Sequence, residues 1–130
     1  MKLSDVVEII EEIMDVRNSN GGLRNIVLVF HDASQDLAYL DKLGCSMDFF
    51  ENILETVDTR NMQQFIVRGQ NPTKLETVLD SLGIHWQHLH NAGNDALYTM
   101  RAMVALALKS RTESLARAIG DKEAEEDLIK

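Results

Sequence analysis

The sequence predicts an α/β layered fold, because apolar strand segments alternate with amphipathic helical segments along the chain. The segment Asn25 to Phe30 is mostly apolar and β-branched without alternation, as in a strand covered on both faces. Residues 6–16 carry apolar side chains at helical spacing, with acidic residues on the other face. The predicted order is helix, strand, helix, strand, helix, helix and a charged tail, which is typical of helices layered on a sheet.

Turn and cap residues set the limits of the elements in the first half of the chain. Ser4 precedes the first helix, and the run from Asn18 to Gly22 is typical of the turn that ends it. The polar residues His31 to Asp36 follow the first strand and lead into a helix that stops at Gly44. A second strand is predicted at residues 53–59.

The next predicted elements are short. Residues 61–65 form a helix or a turn, and residues 68–72 are irregular. Pro72 is typical of a helix start, and we expect a helix over residues 73–82 that ends at Gly83.

A long core helix dominates the rest of the chain. Residues 85–94 are predicted as a loop, and the helix begins at Asp95. Residues 111–130 are highly charged and form a separate helix or a tail. We therefore divide the chain into a domain over residues 1–110 and a charged C-terminal segment over 111–130.

Composition restricts the classes of function. The chain has 130 residues, of which 45% are hydrophobic, enough for one core. Acidic residues outnumber basic ones 21 to 13, a balance opposite to that of proteins that bind phosphate backbones unaided. A site that holds nucleic acid through divalent metals nevertheless needs carboxylates. Cys45 is the only cysteine, which excludes an internal disulfide.

The predicted sheet and the hydropathy pattern bear on partners and location. Two strands make a poor sheet, because fewer than three are seldom stable alone and exposed edges pair with other chains. We therefore expect a homodimer, or a partner protein that completes the sheet. No apolar run is long enough to span a bilayer, so we expect no membrane partner and an intracellular protein, cytoplasmic or nuclear.

Two segments share the spacing His-x-x-x-x-Asp, each at the start of a predicted helix: His31 with Asp36, and His90 with Asp95. Such carboxylates can bind Mg²⁺ or Mn²⁺, and a nearby histidine can deprotonate a water molecule. The aspartates also fit a structural role at a helix N-terminus, through the helix dipole. Spacing alone favours the structural role.

A histidine cluster raises a second kind of metal site. His85, His88 and His90 crowd one predicted loop, as ligands of a transition metal do. No cysteine and no Glu-x-x-His spacing stands beside them, so exposed loop histidines are the stronger interpretation.

Two strings resemble motifs of the DEDD superfamily of 3′-5′ exonucleases, in the subclass that uses histidine as general base. Leu-His-Asn-Ala-Gly-Asn-Asp-Ala at residues 89–96 resembles the third motif, and the string over residues 27–40 resembles the second. Val-Asp-Thr at residues 57–59 is similar to the end of the strand that follows in this family. The form His-Asn-Ala-Gly-Asn-Asp-Ala is similar to a fungal branch that includes the exonuclease domain of the Argonaute-interacting protein. The resemblance covers about residues 3–109.

The resemblance implies roles for individual residues. His90 is implied to be the general base, and Asp36 and Asp95 are implied to be ligands of Mg²⁺ or Mn²⁺. We also expect His31 and Asn91 to contact the substrate. The implied reaction is two-metal hydrolysis of the phosphodiester at the 3′ end of RNA or DNA. The implied fold is ribonuclease-H-like, with helices packed on a small mixed sheet.

The sequence also departs from the family pattern. The family places an Asp-x-Glu pair on the first of three strands, upstream of the helix that matches residues 4–17, and we find no such pair here. The acidic residues of that first helix fit a solvated face instead. We therefore expect a fold truncated at the N-terminus, without its first three strands.

Three functions remain open on this basis. The first is an exonuclease subunit or fragment, inactive alone, whose missing carboxylates come from elsewhere. The second is a non-catalytic interaction module that keeps the nuclease fold and dimerises through an open sheet edge. An α/β domain unrelated to nucleases is the third, and it leaves two motifs in the correct order unexplained.

Overall fold

The computed structural model describes residues 1–69, 71 and 73–129, and it separates into two compact units. The first unit is Met1–Asp58, and the second begins at Thr59. In the described part of the chain, no helix has both the length and the apolar character to cross a bilayer.

Helix α1 (Leu3–Met14) opens the first unit. The backbone N–H of Lys2 donates to Asp5 Oδ2 at 2.9 Å, which satisfies one of the donors that a helix start leaves unpaired. The predicted turn follows, and an antiparallel bridge between Arg17 and Leu23 closes it.

The two predicted strands are confirmed, and they pair with each other. Strand β1 (Ile26–Phe30) and strand β2 (Ile53–Asp58) form a two-stranded parallel sheet among the described residues. Helix α2 (Ala33–Lys42) and a 3₁₀ helix (Met47–Phe49) connect them. The prediction of a mixed sheet is wrong for these residues, because the crossover through α2 returns the chain in the same direction. Both strands therefore end at the same edge of the sheet.

Asn52 ties three segments of the first unit together. Its side chain is buried, and Nδ2 donates to the carbonyl of Met14 at 2.8 Å and to that of Arg24 at 2.9 Å. Its own carbonyl accepts the N–H of Ile26 at 2.8 Å. The end of α1 and the starts of both strands are thus fixed by one residue.

Replacing Asn52 by leucine is expected to lower the free energy of unfolding by about 2–4 kcal/mol, since one buried and one partly buried carbonyl lose their donor at about 1–3 kcal/mol each. Urea denaturation measures the change. Asn61→Leu, at an exposed position, is the control and should change stability by less than about 0.5 kcal/mol. Equal stability of Asn52→Leu and wild type would contradict the role given to Asn52.

The described residues of the second unit form three helices: α3 (Thr59–Val67), α4 (Leu75–Ser81) and α5 (Ala92–Ile129). Helices α4 and α5 supply its core, and partly buried side chains of α3 pack against that core. The fully buried core side chains are Val78, Leu79, Ala102 and Leu106.

Helix α4 is shorter than predicted. The sequence predicted residues 73–82, and the helix spans Leu75–Ser81. Its stop is confirmed, because Gly83 adopts φ +68, a value that side chains disfavour and that glycine adopts freely. The predicted start at Pro72 lies outside the described residues.

Helix α5 differs from the prediction at both ends. It begins at Ala92 rather than Asp95, so the predicted loop is shorter. It then continues without a break to Ile129, so residues 111–129 are helical as part of α5 and not as a helix of their own. A domain limit at residue 110 stays a prediction.

Candidate functional site

The end of the sheet fixes the start of helix α2. Phe30 and Asp58, the last residues of the two strands, are register partners. The Asp58 carboxylate accepts the backbone N–H of Asp32 at Oδ1, 3.0 Å away, and that of Ala33 at Oδ2, 2.9 Å away. Such charge-assisted bonds are about twice as strong as neutral ones. Asp58 therefore holds the N-terminus of α2 against β2.

Asp32 stands at the N-cap position of α2 in a left-handed conformation, with φ +66. Non-glycine residues seldom adopt this conformation, although aspartate does so more readily than most. Its Oδ1 accepts the hydroxyl of Ser34 at 3.1 Å. Asp36 lies in the first turn of α2, near enough to Asp32 and Asp58 for their charges to act on its carboxyl.

Like charges surround Asp36. Desolvation raises the pKa of the Asp36 carboxyl, and the carboxylates of Asp32 and Asp58 raise it further. His31, which follows β1 directly, is half-buried in the same part of the first unit. The carboxyl ends of the two strands therefore present one histidine and three aspartates.

The raised pKa of Asp36 has a consequence for stability. The folded chain binds more protons than the unfolded chain between the two pKa values of this group. The stabilisation from the proton is complete below the unfolded pKa and is lost as pH rises through the folded pKa. At neutral pH the ionised Asp36 therefore destabilises the fold.

Replacing Asp36 by asparagine is expected to raise the free energy of unfolding at pH 7 by about 0.2–1 kcal/mol, the range of exposed, screened charges. The gain should vanish near pH 3, where the carboxyl of the wild type is protonated. Urea denaturation at both pH values measures it, with the exposed Asp48→Asn as control. A gain that is the same at both values would contradict the electrostatic cause.

The second unit presents His90 on a loop that is fastened at three points. Trp86 Nε1 donates to Asp80 Oδ1 at 2.8 Å, and the N–H of Gln87 donates to the Tyr98 hydroxyl at 3.2 Å. Asn94 Nδ2 donates to the carbonyl of His88 at 3.0 Å. The loop is thus tied to α4 and α5, while the His90 side chain stays exposed.

His90 and Asp95 are joined directly at the start of α5. The backbone N–H of His90 donates to Asp95 Oδ1 at 2.9 Å, and the N–H of Asp95 donates to the carbonyl of Asn91 at 2.8 Å. The Asn91 side chain accepts the N–H groups of Gly93 and Asn94 at 3.1 and 3.4 Å, as an N-cap does. His90 itself has φ +70. The His-x-x-x-x-Asp spacing therefore places the aspartate where it can bond the backbone that precedes helix α5.

The structure thus groups the predicted site residues in two places. His31 and Asp36 lie together in the first unit, and His90, Asn91 and Asp95 lie together in the second. Among the described residues, no three His, Cys, Asp or Glu side chains form a group able to hold a metal ion. The structural role predicted for Asp95 at a helix N-terminus is confirmed, and Asn91 caps the same helix. The chemical roles of both residues stay predictions.

The comparison with known families separates the nuclease interpretation from an unrelated α/β domain. Residues 1–106 match the DEDDh family described as the C-terminal domain of DNA polymerase III subunit epsilon-like proteins. The chain belongs to this family. The match includes both His-x-x-x-x-Asp segments, and it makes the chain an exonuclease-related domain. No curated protein matches the chain.

The donors of this DEDDh domain suit the divalent metals that DEDDh exonucleases use. Mg²⁺ and Mn²⁺ prefer carboxylate oxygens, and both Asp36 and Asp95 supply them. The negative charges of neighbouring carboxylates raise the pKa of Asp36, and a bound divalent cation would reduce this repulsion. Only Oδ1 of Asp95 accepts the N–H of His90, which leaves Oδ2 for another contact. Each carboxylate is therefore of the chemical type that a divalent cation prefers, while the described residues form no group of three such donors.

Two residues of the DEDDh domain were missed as parts of the site. Asp58 was recognised only as a strand end, and Asp32 only as part of a polar run. The available signal was topological, because the ends of parallel neighbours meet at one edge of a sheet. Asp58 could have been assigned from that rule, whereas the left-handed Asp32 could not.

Proposed function

We propose that this DEDDh domain takes part in 3′-5′ exonuclease hydrolysis of RNA or DNA, with the Asp-x-Glu pair supplied by polypeptide outside residues 1–130. The proposal rests on the hydrogen bond that the backbone N–H of His90 donates to Asp95 Oδ1. It places a carboxylate and an exposed imidazole on the same turn, as general base catalysis next to a metal ligand requires.

The residues of the chain have distinct tasks in the proposed reaction. His90 accepts the proton of the attacking water, and its fastened loop keeps the imidazole in place. Asp95 and Asp36 hold divalent metal, while His31 and Asn91 contact the substrate. The metal, when bound, supplies charge neutralisation at the phosphate. The proposal also assigns the chain to a ribonuclease-H-like fold that lacks its first three strands, located inside the cell.

The proposal extends to the branch of the family. The string at residues 90–96 supports a branch similar to the fungal exonuclease domain of the Argonaute-interacting protein. The proposal leaves RNA and DNA open as the substrate. Parallel assays with RNA and DNA of the same sequence show which of the two is degraded faster.

The decisive experiment is degradation of a 3′-labelled single strand in Mn²⁺ by residues 1–130 purified together with the polypeptide that supplies the Asp-x-Glu pair. It is run beside residues 1–130 alone, which should release nothing, the same reaction in EDTA, and a strand with a blocked 3′ end. Release of labelled mononucleotide only in Mn²⁺, and only from the open 3′ end, is the expected result. No release at any protein concentration would contradict catalysis by this chain and favour the second function.

The second function is a non-catalytic module that dimerises through its sheet. Two exposed apolar side chains favour it, Val27 of β1 at 47% and Leu54 of β2 at 66% exposure. Each strand of the described sheet has the other as its neighbour, which leaves an outer edge on both. Such edges are the sites where a further strand adds.

Light scattering is expected to show a homodimer. Val27→Lys should give a monomer, because lysine on an edge strand opposes strand addition. Leu128→Lys, at an exposed apolar position of α5, is the matched control and should stay dimeric. A wild-type chain that is monomeric throughout would remove the second function.

A further inference from the structure

A cavity with two arginines lies at the far end of the second unit from His90. It has a volume of about 420 Å³ and is bounded by the end of α3, the residues that follow α3, and α5. Arg68 and Arg117 line it, together with Phe65, Ser110 and Glu113. Arg117 lies 22 positions beyond Asp95 on the same helix, about 33 Å along its axis. The cavity is therefore separate from the proposed catalytic residues.

Arg68 has a backbone conformation that arginine seldom adopts. Arg68 follows the last residue of α3 with φ +52, and the next N–H, from Gly69, donates to the carbonyl of Gln64 at 3.1 Å. This is the helix-ending geometry in which glycine is the preferred residue. An arginine there is disfavoured by its backbone conformation. We therefore attribute its presence to the charged side chain of a residue that lines the cavity.

The two guanidinium groups are suited to an anionic ligand. Neither forms an ion pair with another described residue, although Glu113 lies one helical turn before Arg117. A guanidinium offers a planar fork of donors that matches two oxygens of a phosphate. The chain has a formal charge of −8, so two arginines that line one cavity form a local positive region on an acidic protein.

The remaining lining residues suit the other parts of a nucleotide. Phe65 is 82% exposed, so its ring is free to stack with a base. The Glu113 carboxylate can accept a hydrogen bond from a ribose hydroxyl or a base amino group. The volume lies within the range of small-ligand pockets and fits a single nucleotide rather than a duplex.

We propose that this cavity is a second nucleotide-binding site, in which Arg68 and Arg117 hold a phosphate, Phe65 stacks on the base and Glu113 accepts from a hydroxyl or amino group. The ligand is a nucleoside phosphate, either a free mononucleotide or one unit of a single strand. The inference rests on the proposed function for the class of ligand, and it requires no catalysis.

The experiment measures binding in EDTA, so that no degradation takes place. The probes are adenosine monophosphate and a labelled single strand of about 16 nucleotides, at the upper end of the site sizes of such binders. Arg68→Gly and Arg117→Gln are each expected to weaken binding about tenfold or more. Arg68→Gly keeps or improves the backbone geometry, so its melting temperature should not fall. Arg111→Gln, an exposed arginine of α5 outside the cavity, is the matched control.

Salt dependence separates direct contact from a structural effect. For the single strand, loss of one phosphate contact should reduce the slope of log affinity against log salt by about 0.7. Tight binding of the strand with weak binding of the mononucleotide identifies a strand site, and similar binding of both identifies a nucleotide site. Wild-type affinity for both probes in both arginine variants overturns the proposal. If the wild-type protein binds both probes but does not degrade the strand in Mn²⁺, the proposed function is overturned and this inference is not.

Discussion

Replacing His90 by asparagine is expected to lower the rate of 3′-end degradation by about 100-fold or more, the usual contribution of a general base. Asparagine is chosen because it tolerates the positive φ of this position and keeps the backbone N–H that donates to Asp95. The change therefore removes the imidazole and leaves the turn intact. Single-turnover degradation of the 3′-labelled strand in Mn²⁺ measures the rate.

The matched control is His88→Asn. His88 is exposed, lies on the same loop and also has a positive φ, of +54. It differs from His90 in that its backbone N–H makes no hydrogen bond to Asp95 in the described structure. Equal losses of rate in the two variants would show that the loop, and not the His90 imidazole, supports the reaction.

Asp95→Asn separates the two roles of that carboxylate. The amide oxygen can still accept the N–H of His90, so the start of α5 should survive, whereas the charge that binds metal is gone. We expect a rate as low as that of His90→Asn with little loss of stability. A rate close to wild type would leave Asp95 with its structural role alone.

The spacing of apolar residues and the positions of turn and cap residues predicted most of the fold. Apolar β-branched runs located β1 and β2, and Gly83 marked the end of α4. The continuity of α5 through residue 111 could not be predicted, because a polar helix without a buried stripe has no periodic signal. The parallel direction of the sheet follows from the helical crossover α2, so the predicted order of strand, helix and strand already contained it.

The candidate site was predictable in its residue types and not in its geometry. The His-x-x-x-x-Asp spacing identified Asp36 and Asp95, yet the same spacing has two structural outcomes. Asp95 bonds the backbone of the paired histidine, whereas at the corresponding place in the first unit Asp58 supplies the bonds and Asp36 does not. A motif of adjacent residues cannot identify a carboxylate that lies on a neighbouring strand and about 25 positions away in sequence.

Loss of Asp58 should also disturb the first unit strongly. Its half-buried carboxylate makes two charge-assisted bonds to the N-terminus of α2, each worth about 1.5–3 kcal/mol. Asp58→Ala is therefore expected to lower the free energy of unfolding by about 3 kcal/mol or more. Asp58→Asn, which keeps one acceptor, should lose about half as much. Urea denaturation measures both, with the exposed Asp48→Ala as control.

A second readout distinguishes this role from simple loss of packing. The Asp58 charge is one of the causes that raise the pKa of Asp36, so Asp58→Asn should lower that pKa toward its usual range. Carboxyl carbon NMR titration measures the shift. An unchanged pKa of Asp36 beside reduced stability would mean that Asp58 only caps the helix. A lowered pKa would mean that Asp58 also sets the charge state of the predicted metal ligand, and in that case Asp58→Asn should weaken Mn²⁺ binding less than Asp36→Asn does.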